Sequence, residues 1–249
     1  MSDREQHLVE HISELRRRII WVLLVFLATL IAGFIFVEPV IHYLKNDPAA
    51  KNIPWNVFSL GDSLRVYLQF SFVLSLVFTL PFAMYQAWRF VKPGLKTEEQ
   101  RATLIYIPVA FILFIVGVSF AYFFLFPYLV KFVSMLADRL GAQEMYGISQ
   151  YFGFMFRLVL PVGVTFELPI IVMFLTRIRI LTPDFLRKMR RFAYVILVIV
   201  AAVITPPDFI SNILVAIPLI LLYEISIWLS QRVYRKIQAQ DAEWNEASE

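Results

Sequence analysis

The sequence predicts an all-α polytopic membrane protein, and three observations predict it: six long apolar stretches, an apolar composition overall, and basic residues concentrated in alternate connectors. The stretches fall at about residues 19–37, 66–88, 104–126, 152–176, 192–204 and 210–229. Read in windows of about 20 residues, such runs are too long for the core of one soluble domain and suit a hydrocarbon slab. Backbone groups in lipid must be satisfied internally, which leaves helices or closed barrels. Continuous apolar runs without period-two alternation select helices. Hydrophobic residues make up 59% of the 249 and charged residues 17%, with a mean hydropathy of +0.70, far from soluble averages.

One integral membrane domain is expected over residues 1–249, with an interfacial helix at 1–18, a six-helix bundle at 19–230 and a polar tail at 231–249. The first apolar run has no small-residue cleavage site, so no removable signal peptide is expected. The absence of cysteine excludes a thiol nucleophile, a disulfide framework and a thiolate metal site. Arg4 and Arg16–Arg18, the connector from Arg89 to Arg101, the connector from Arg177 to Arg191, and the tail with Arg232, Arg235 and Lys236 hold most of the basic residues. Lys45, Lys51, Arg65, Lys131 and Arg139 fall on the other side, and Arg157 lies at the edge of a span. The positive-inside rule then places both termini in the cytoplasm, which an even number of spans allows. The net charge of +4 reflects basic loops facing anionic lipid and calls for no nucleic acid.

At the N-terminus, His7, Glu10 and His11 match an H-x-x-E-H zinc-protease pattern. The remaining histidine, His42, lies beyond the first span, and a terminal segment has no closed pocket, so neither a metal site nor a protease is expected. Leu8, Ile12, Leu15 and Ile19 recur at helical spacing and form an apolar stripe. This predicts a helix lying in the interface and then turning into the first span. Glu14 can pair with Arg18 one turn on, the ordinary structural reading. The functional reading is a carboxylate held at the lipid boundary and offered to a cation.

The outer segments 38–65 and 127–151 carry Pro48, Pro54, Trp55, Tyr146 and several phenylalanines, and are expected to form a packed loop cap. In the second connector Pro93-Gly94 marks a turn, and Thr97 with Gln100 forms a capping box for the third helix. Glu98 and Glu99 stand in its first turn, where the helix dipole favours anions. The fifth apolar run, 192–204, spans about 20 Å as a helix, short of the roughly 30 Å hydrocarbon core. The sixth is interrupted by Pro218 and Glu224, so both final spans are expected to be short. Between them Pro206-Pro207 ends the fifth helix and Asp208 can cap the sixth. Pro81 and Pro169 echo one another weakly, and no internal repeat is evident.

The most costly residue is Glu167. Helical rise from Arg177 puts it about 15 Å deep, where a carboxyl costs about 3 kcal/mol even on lenient scales and normally faces a bundle interior, a cavity or a partner. Pro161 and Pro169 flank it and free backbone carbonyls at similar depth. Glu224, nearer the cytoplasmic side, is a lesser case.

These residues carry a family resemblance. His11-Ile12-Ser13-Glu14-Leu15-Arg16-Arg17-Arg18-Ile19 is similar to the N-terminal signature of TatC, the core subunit of the twin-arginine protein translocase. So are Gln86-Ala87-Trp88-Arg89-Phe90, Phe120-Ala121-Tyr122-Phe123, Phe166-Glu167-Leu168-Pro169, Leu181-Thr182-Pro183 and Thr205-Pro206-Pro207-Asp208. The matches run in order from about residue 7 to 230. The resemblance implies a cupped six-helix bundle, recognition of twin-arginine signal peptides, single-span TatA- and TatB-type partners, and export of folded proteins driven by the proton-motive force. No catalytic residue, cofactor or metal is implied. Mapped by motif, Glu14 and Glu99 match signal-peptide-binding acids, and Arg16 and Phe90 match neighbours of that site. Glu167 matches the intramembrane acid and Asp208 the outer-hairpin acid. Asn212 departs from relatives that carry Gln.

A signal peptide offers two adjacent guanidiniums, and guanidinium binds carboxylate in a bidentate fashion that a lysine cannot reproduce. Acids on two separate elements can each accept one arginine. Two other classes compete. A proton-coupled secondary transporter would use Glu167 as relay, but the spans offer few ionisable partners and no inverted repeat. An intramembrane protease lacks a Ser–His or paired-Asp arrangement within the spans.

Overall fold

A computed structural model of the chain describes residues 3–45, 56–94, 100, 103–141, 145–205 and 208–248, with side chains described from residue 12 to residue 242. The described residues are helical apart from short turns and one isolated parallel bridge, Asn56 with Gly147. The helices are α1 (Asp3–Lys45), α2 (Asp62–Val91), α3 (Tyr106–Phe120), α4 (Phe126–Arg139), α5 (Ile148–Thr165), α6 (Leu168–Arg177), α7 (Pro183–Lys188), α8 (Arg190–Ile204) and α9 (Phe209–Ser248). Among the described residues, five helical stretches are long and apolar enough to cross a membrane: Ile12–Lys45, Asp62–Gly94, Tyr106–Arg139, Ile148–Arg177 and Phe209–Ala242. The protein is thus an all-α membrane protein with several spanning helices. The remaining apolar run forms α8, whose 15 residues rise only about 22 Å, short as its sequence foretells.

The chain groups into two compact units. The first holds residues 1–107 and 143–156. Its framework is α1 packed antiparallel on α2 through small and hydroxyl-bearing residues. Thr29 Oγ1 meets Ser75 Oγ at 2.8 Å and Thr79 Oγ1 at 3.2 Å, and Ser75 Oγ donates to the Phe26 carbonyl at 2.7 Å. At Gly33 a Cβ would lie 3.1 Å from the Ser71 carbonyl oxygen, so the missing side chain permits close backbone approach. Small polar seams of this kind join helices where lipid removes the hydrophobic drive. Phe26 against Phe72 and Phe34 against Tyr67 fill the flanks. The start of α5 joins through Phe152 and Phe156, both edge-on to Phe70 at 4.8 and 4.7 Å.

The second unit holds residues 108–142 and 157–249. Here α3 and α4 are joined by a π-helical turn, Ala121–Leu125. The Phe126 N–H reaches the Ala121 carbonyl five residues back, and Pro127, next in line, has no N–H to continue the α pattern. Gly117 and Gly163 bring α3 against α5: a Cβ at Gly117 would sit 2.6 Å from Phe166 Cγ and 3.0 Å from Gly163 Cα. Around α9, Thr176 Oγ1 meets Ser230 Oγ at 2.8 Å, Tyr223 Oη donates to the Leu186 carbonyl at 2.8 Å, and Arg190 donates to Glu224 at 2.6 Å.

Three expectations change. Helix α1 runs unbroken from Asp3 to Lys45, so no turn separates the N-terminal segment from the first span. Its stripe at Leu8–Ile19 and the apolar run share one helical register, and a break would expose backbone groups at no gain. The sixth helix is not short: α9 continues for 40 residues through Pro218 and Glu224. One missing N–H costs less in lipid than ending a helix there, and Glu224 is satisfied by Arg190 and Tyr194. The outer segments are also largely helical where described, since α1 covers 38–45 and α4 covers Phe126–Arg139. Pro127 falls in the first turn of α4, where proline is tolerated. Pro48, Pro54 and Trp55 lie outside the described residues.

Candidate functional site

In the first unit, α1 and α2 enclose a cleft of ≈ 590 Å³. From α1 it is lined by Glu14, Arg17, Arg18, Trp21 and Val25, and from α2 by Phe82, Gln86 and Arg89. The spacing 14, 18, 21, 25 lays one stripe along a single face of α1, and 82, 86, 89 does the same on α2. The stripes change character along the helices, from charged residues to Trp21, Val25 and Phe82. Arg18 holds the walls together. Its guanidinium donates to the Glu14 carboxylate one turn away and, from Nη1, to Gln86 Oε1 at 3.2 Å. Gln86 is buried at 9% exposure, while the Glu14 side chain keeps 37% of its surface open and Arg18 only 14%. The result is a carboxylate at the mouth of a partly apolar cleft.

Arg16 lies exposed on α1, and Phe90 stands half-buried in the last turn of α2. Thr97, Glu98 and Glu99 lie outside the described residues. The ends of their connector are tied down. Helix α2 closes in a 3₁₀ turn at Lys92–Gly94, Gln100 Nε2 donates to the Lys92 carbonyl at 3.2 Å, and Trp88 Nε1 donates to Thr103 Oγ1 at 3.0 Å. Phe82 and Trp21 have no individual reading from sequence, and Gln86 and Arg89 enter there only through a motif and a basic connector. The spacing on α1 was visible there, but the pairing of α1 with α2 that completes the cleft was not.

Glu167 occupies a break within the fourth span. Helix α5 ends at Thr165, α6 begins at Leu168, and Glu167 fills the N-cap position. Pro169 in the first turn of α6 supplies no N–H to the preceding carbonyls, while the Ile170 and Ile171 N–H groups both close on the Glu167 carbonyl at 3.1 and 3.0 Å. The side chain is 4% exposed, and neither carboxylate oxygen has a hydrogen-bond partner among the described residues. Glu224 is different, since Arg190 and Tyr194 hold its two oxygens at 2.6 and 2.5 Å. Asp208 caps α9 as expected, its Oδ1 accepting from the Ser211 N–H at 2.7 Å. Thr182 caps α7 through the Phe185 N–H at 3.3 Å, with Pro183 at the first helical position, which gives that Leu-Thr-Pro run a local role.

Fold and site together define a multi-pass α-helical membrane protein with a charged cleft at one end of its first helical pair. The family model for TatC, the Sec-independent protein translocase protein, matches residues 10–218. The TatC of Halalkalibacterium halodurans is 50% identical over 96% of this chain and 94% of its own length. TatCy of Bacillus subtilis is 45% identical over 97% and 95%. A crystal structure of the twin-arginine translocase receptor TatC superposes with a TM-score of 0.79 at 32% identity, covering 90% of this chain and 99% of that one. The chain belongs to the TatC family and is a protein-transport component of the Sec-independent translocase, carried in a membrane by several helices.

Proposed function

We propose that the protein is the signal-peptide receptor and scaffold of a twin-arginine translocase. The observation that carries this reading is the Glu14 carboxylate, open at the mouth of a cleft whose floor turns apolar at Trp21, Val25 and Phe82. A twin-arginine signal offers guanidiniums followed by an apolar stretch, the same order of chemistry. Glu99, on the third-helix side of the connector, is the second acid in this reading, with Arg16 and Phe90 as neighbours that shape the approach. Six spans, both termini in the cytoplasm, and location in the bacterial inner membrane belong to the same proposal, as does a single membrane domain with a bundle at 19–230 between an N-terminal helix and a tail. Single-span TatA- and TatB-type subunits are the partners, and the proton-motive force drives export of folded proteins.

The carboxylate of Glu167, without a hydrogen-bond partner among the described residues, supports a second contact, to a polar group of a partner helix, and Asp208 is the outer-hairpin residue of the same assembly. Photo-crosslinking of a labelled twin-arginine precursor tests the docking site. Glu14→Gln and Glu99→Gln each weaken the crosslink and the double variant removes most of it, with protein levels unchanged. An undiminished crosslink in the double variant rejects the assignment.

A further inference from the structure

The α1–α2 cleft is not simply acidic. Glu14 and Arg18 neutralise each other, which leaves Arg17 on one wall and Arg89 on the other. Both are exposed, and neither has an acidic partner among the described residues. The cleft of ≈ 590 Å³ therefore carries, among the described residues, two guanidiniums without an acidic partner above an apolar floor. A doubly cationic tag approaching Glu14 meets like charge on both sides.

We propose that this cleft binds the phosphate headgroup of an anionic phospholipid between Arg17 and Arg89, with an acyl chain lying over Trp21, Val25 and Phe82. Guanidinium is suited to phosphate because its planar fork donates two parallel hydrogen bonds to adjacent oxygens. The apolar floor selects a lipid over a free anion, since inorganic phosphate gains nothing from Trp21 or Phe82. Depth agrees. The site lies where α1 passes from Glu14 and Arg16–Arg18 to the exposed apolar residues Ile19, Ile20, Leu23 and Leu24, with Trp21 at the change. That is the level of headgroups, where aromatic belts form and basic residues meet anionic lipid. The bound phosphodiester, with its single negative charge, offsets half of the charge of Arg17 and Arg89 and so lowers the repulsion that a cationic tag meets on its way to Glu14. This last step rests on the proposed docking function, whereas the lipid site itself does not.

The test uses the full-length protein, delipidated in neutral detergent and given equal phosphatidylglycerol and phosphatidylcholine with identical acyl chains. Lipid retained is read by native mass spectrometry, without any signal peptide present, so a failure of tag docking leaves this readout untouched. The unmodified protein retains phosphatidylglycerol with a preference of about tenfold. Arg17→Gln/Arg89→Gln lowers the preference to near unity, while Arg232→Gln/Arg235→Gln, which removes two other exposed guanidiniums, keeps it. Loss in both double variants, retention in both, or displacement of the lipid by millimolar inorganic phosphate overturns the proposal. Should the first variant fail to fold, a photoactivatable phosphatidylglycerol added to the unmodified protein crosslinks to Trp21, Val25 or Phe82. Labelling confined to other segments overturns it as well.

Discussion

Arg18 joins Glu14, one turn back on α1, to Gln86, far away in number and across the cleft on α2. Its guanidinium occupies the carboxylate that an incoming arginine would use. Replacing it with Gln keeps a donor for Gln86 and removes the Arg18 charge from Glu14, so a twin-arginine peptide is expected to bind about two- to fivefold more tightly by isothermal titration, the scale of one partly exposed ion pair. Weaker binding would show instead that Arg18 orients the carboxylate. A second residue-scale prediction concerns Gly117, where a side chain would collide with the Phe166 ring beside Glu167. Gly117→Val should cost about 1–3 kcal/mol by thermal unfolding in detergent, because α3 and α5 must separate to admit it.

Among the helices, the terminations explain several of the short motifs. Thr205 ends α8 with an extended backbone, as the residue before a proline must. Arg179, at φ 63°, takes the left-handed position after α6 and lets the Ile180 N–H reach the Leu175 carbonyl at 3.0 Å, a closure usually given to glycine. Arg179 also donates to Asp241 at 2.7 Å, and Arg177 to Gln240 at 3.2 Å, so the far end of α9 is fastened to the end of α6. Asp208 combines two roles that substitution can separate. Asp208→Ala loses the cap on α9 and should lower stability by about 1 kcal/mol, while Asp208→Asn keeps it. If Asp208 also acts in transport, Asp208→Asn will fold with unchanged melting temperature and still export a twin-arginine reporter more slowly.

At the scale of the whole protein, the proposed receptor role demands discrimination between two cations of equal charge. A lysine ammonium is a compact, strongly hydrated point charge, whereas a guanidinium matches the two oxygens of a carboxylate. Replacing both arginines of a signal peptide with lysine should therefore weaken its binding to the purified protein by about tenfold, measured by fluorescence anisotropy. Equal affinity would remove the physical basis of the docking site.

Much of this was legible in the sequence. The length and continuity of the apolar runs specified helices in a membrane, because lipid offers no other partner for backbone groups. The weak fifth span, the cap at Asp208 and the buried acid at Glu167 could each be read from local chemistry. Helix continuity could not, and α1 and α9 run through the points where polar residues and Pro218 suggested interruption. Glu224 is a second unusual acid by sequence, and in the fold Arg190 and Tyr194 hold it. Patterning along one helix records which residues share a face, and that much the chain determines alone. Which face meets which neighbour depends on residues distant in number, and so only tertiary packing decided that Arg18 would reach Gln86 and that Arg17 and Arg89 would face one cleft.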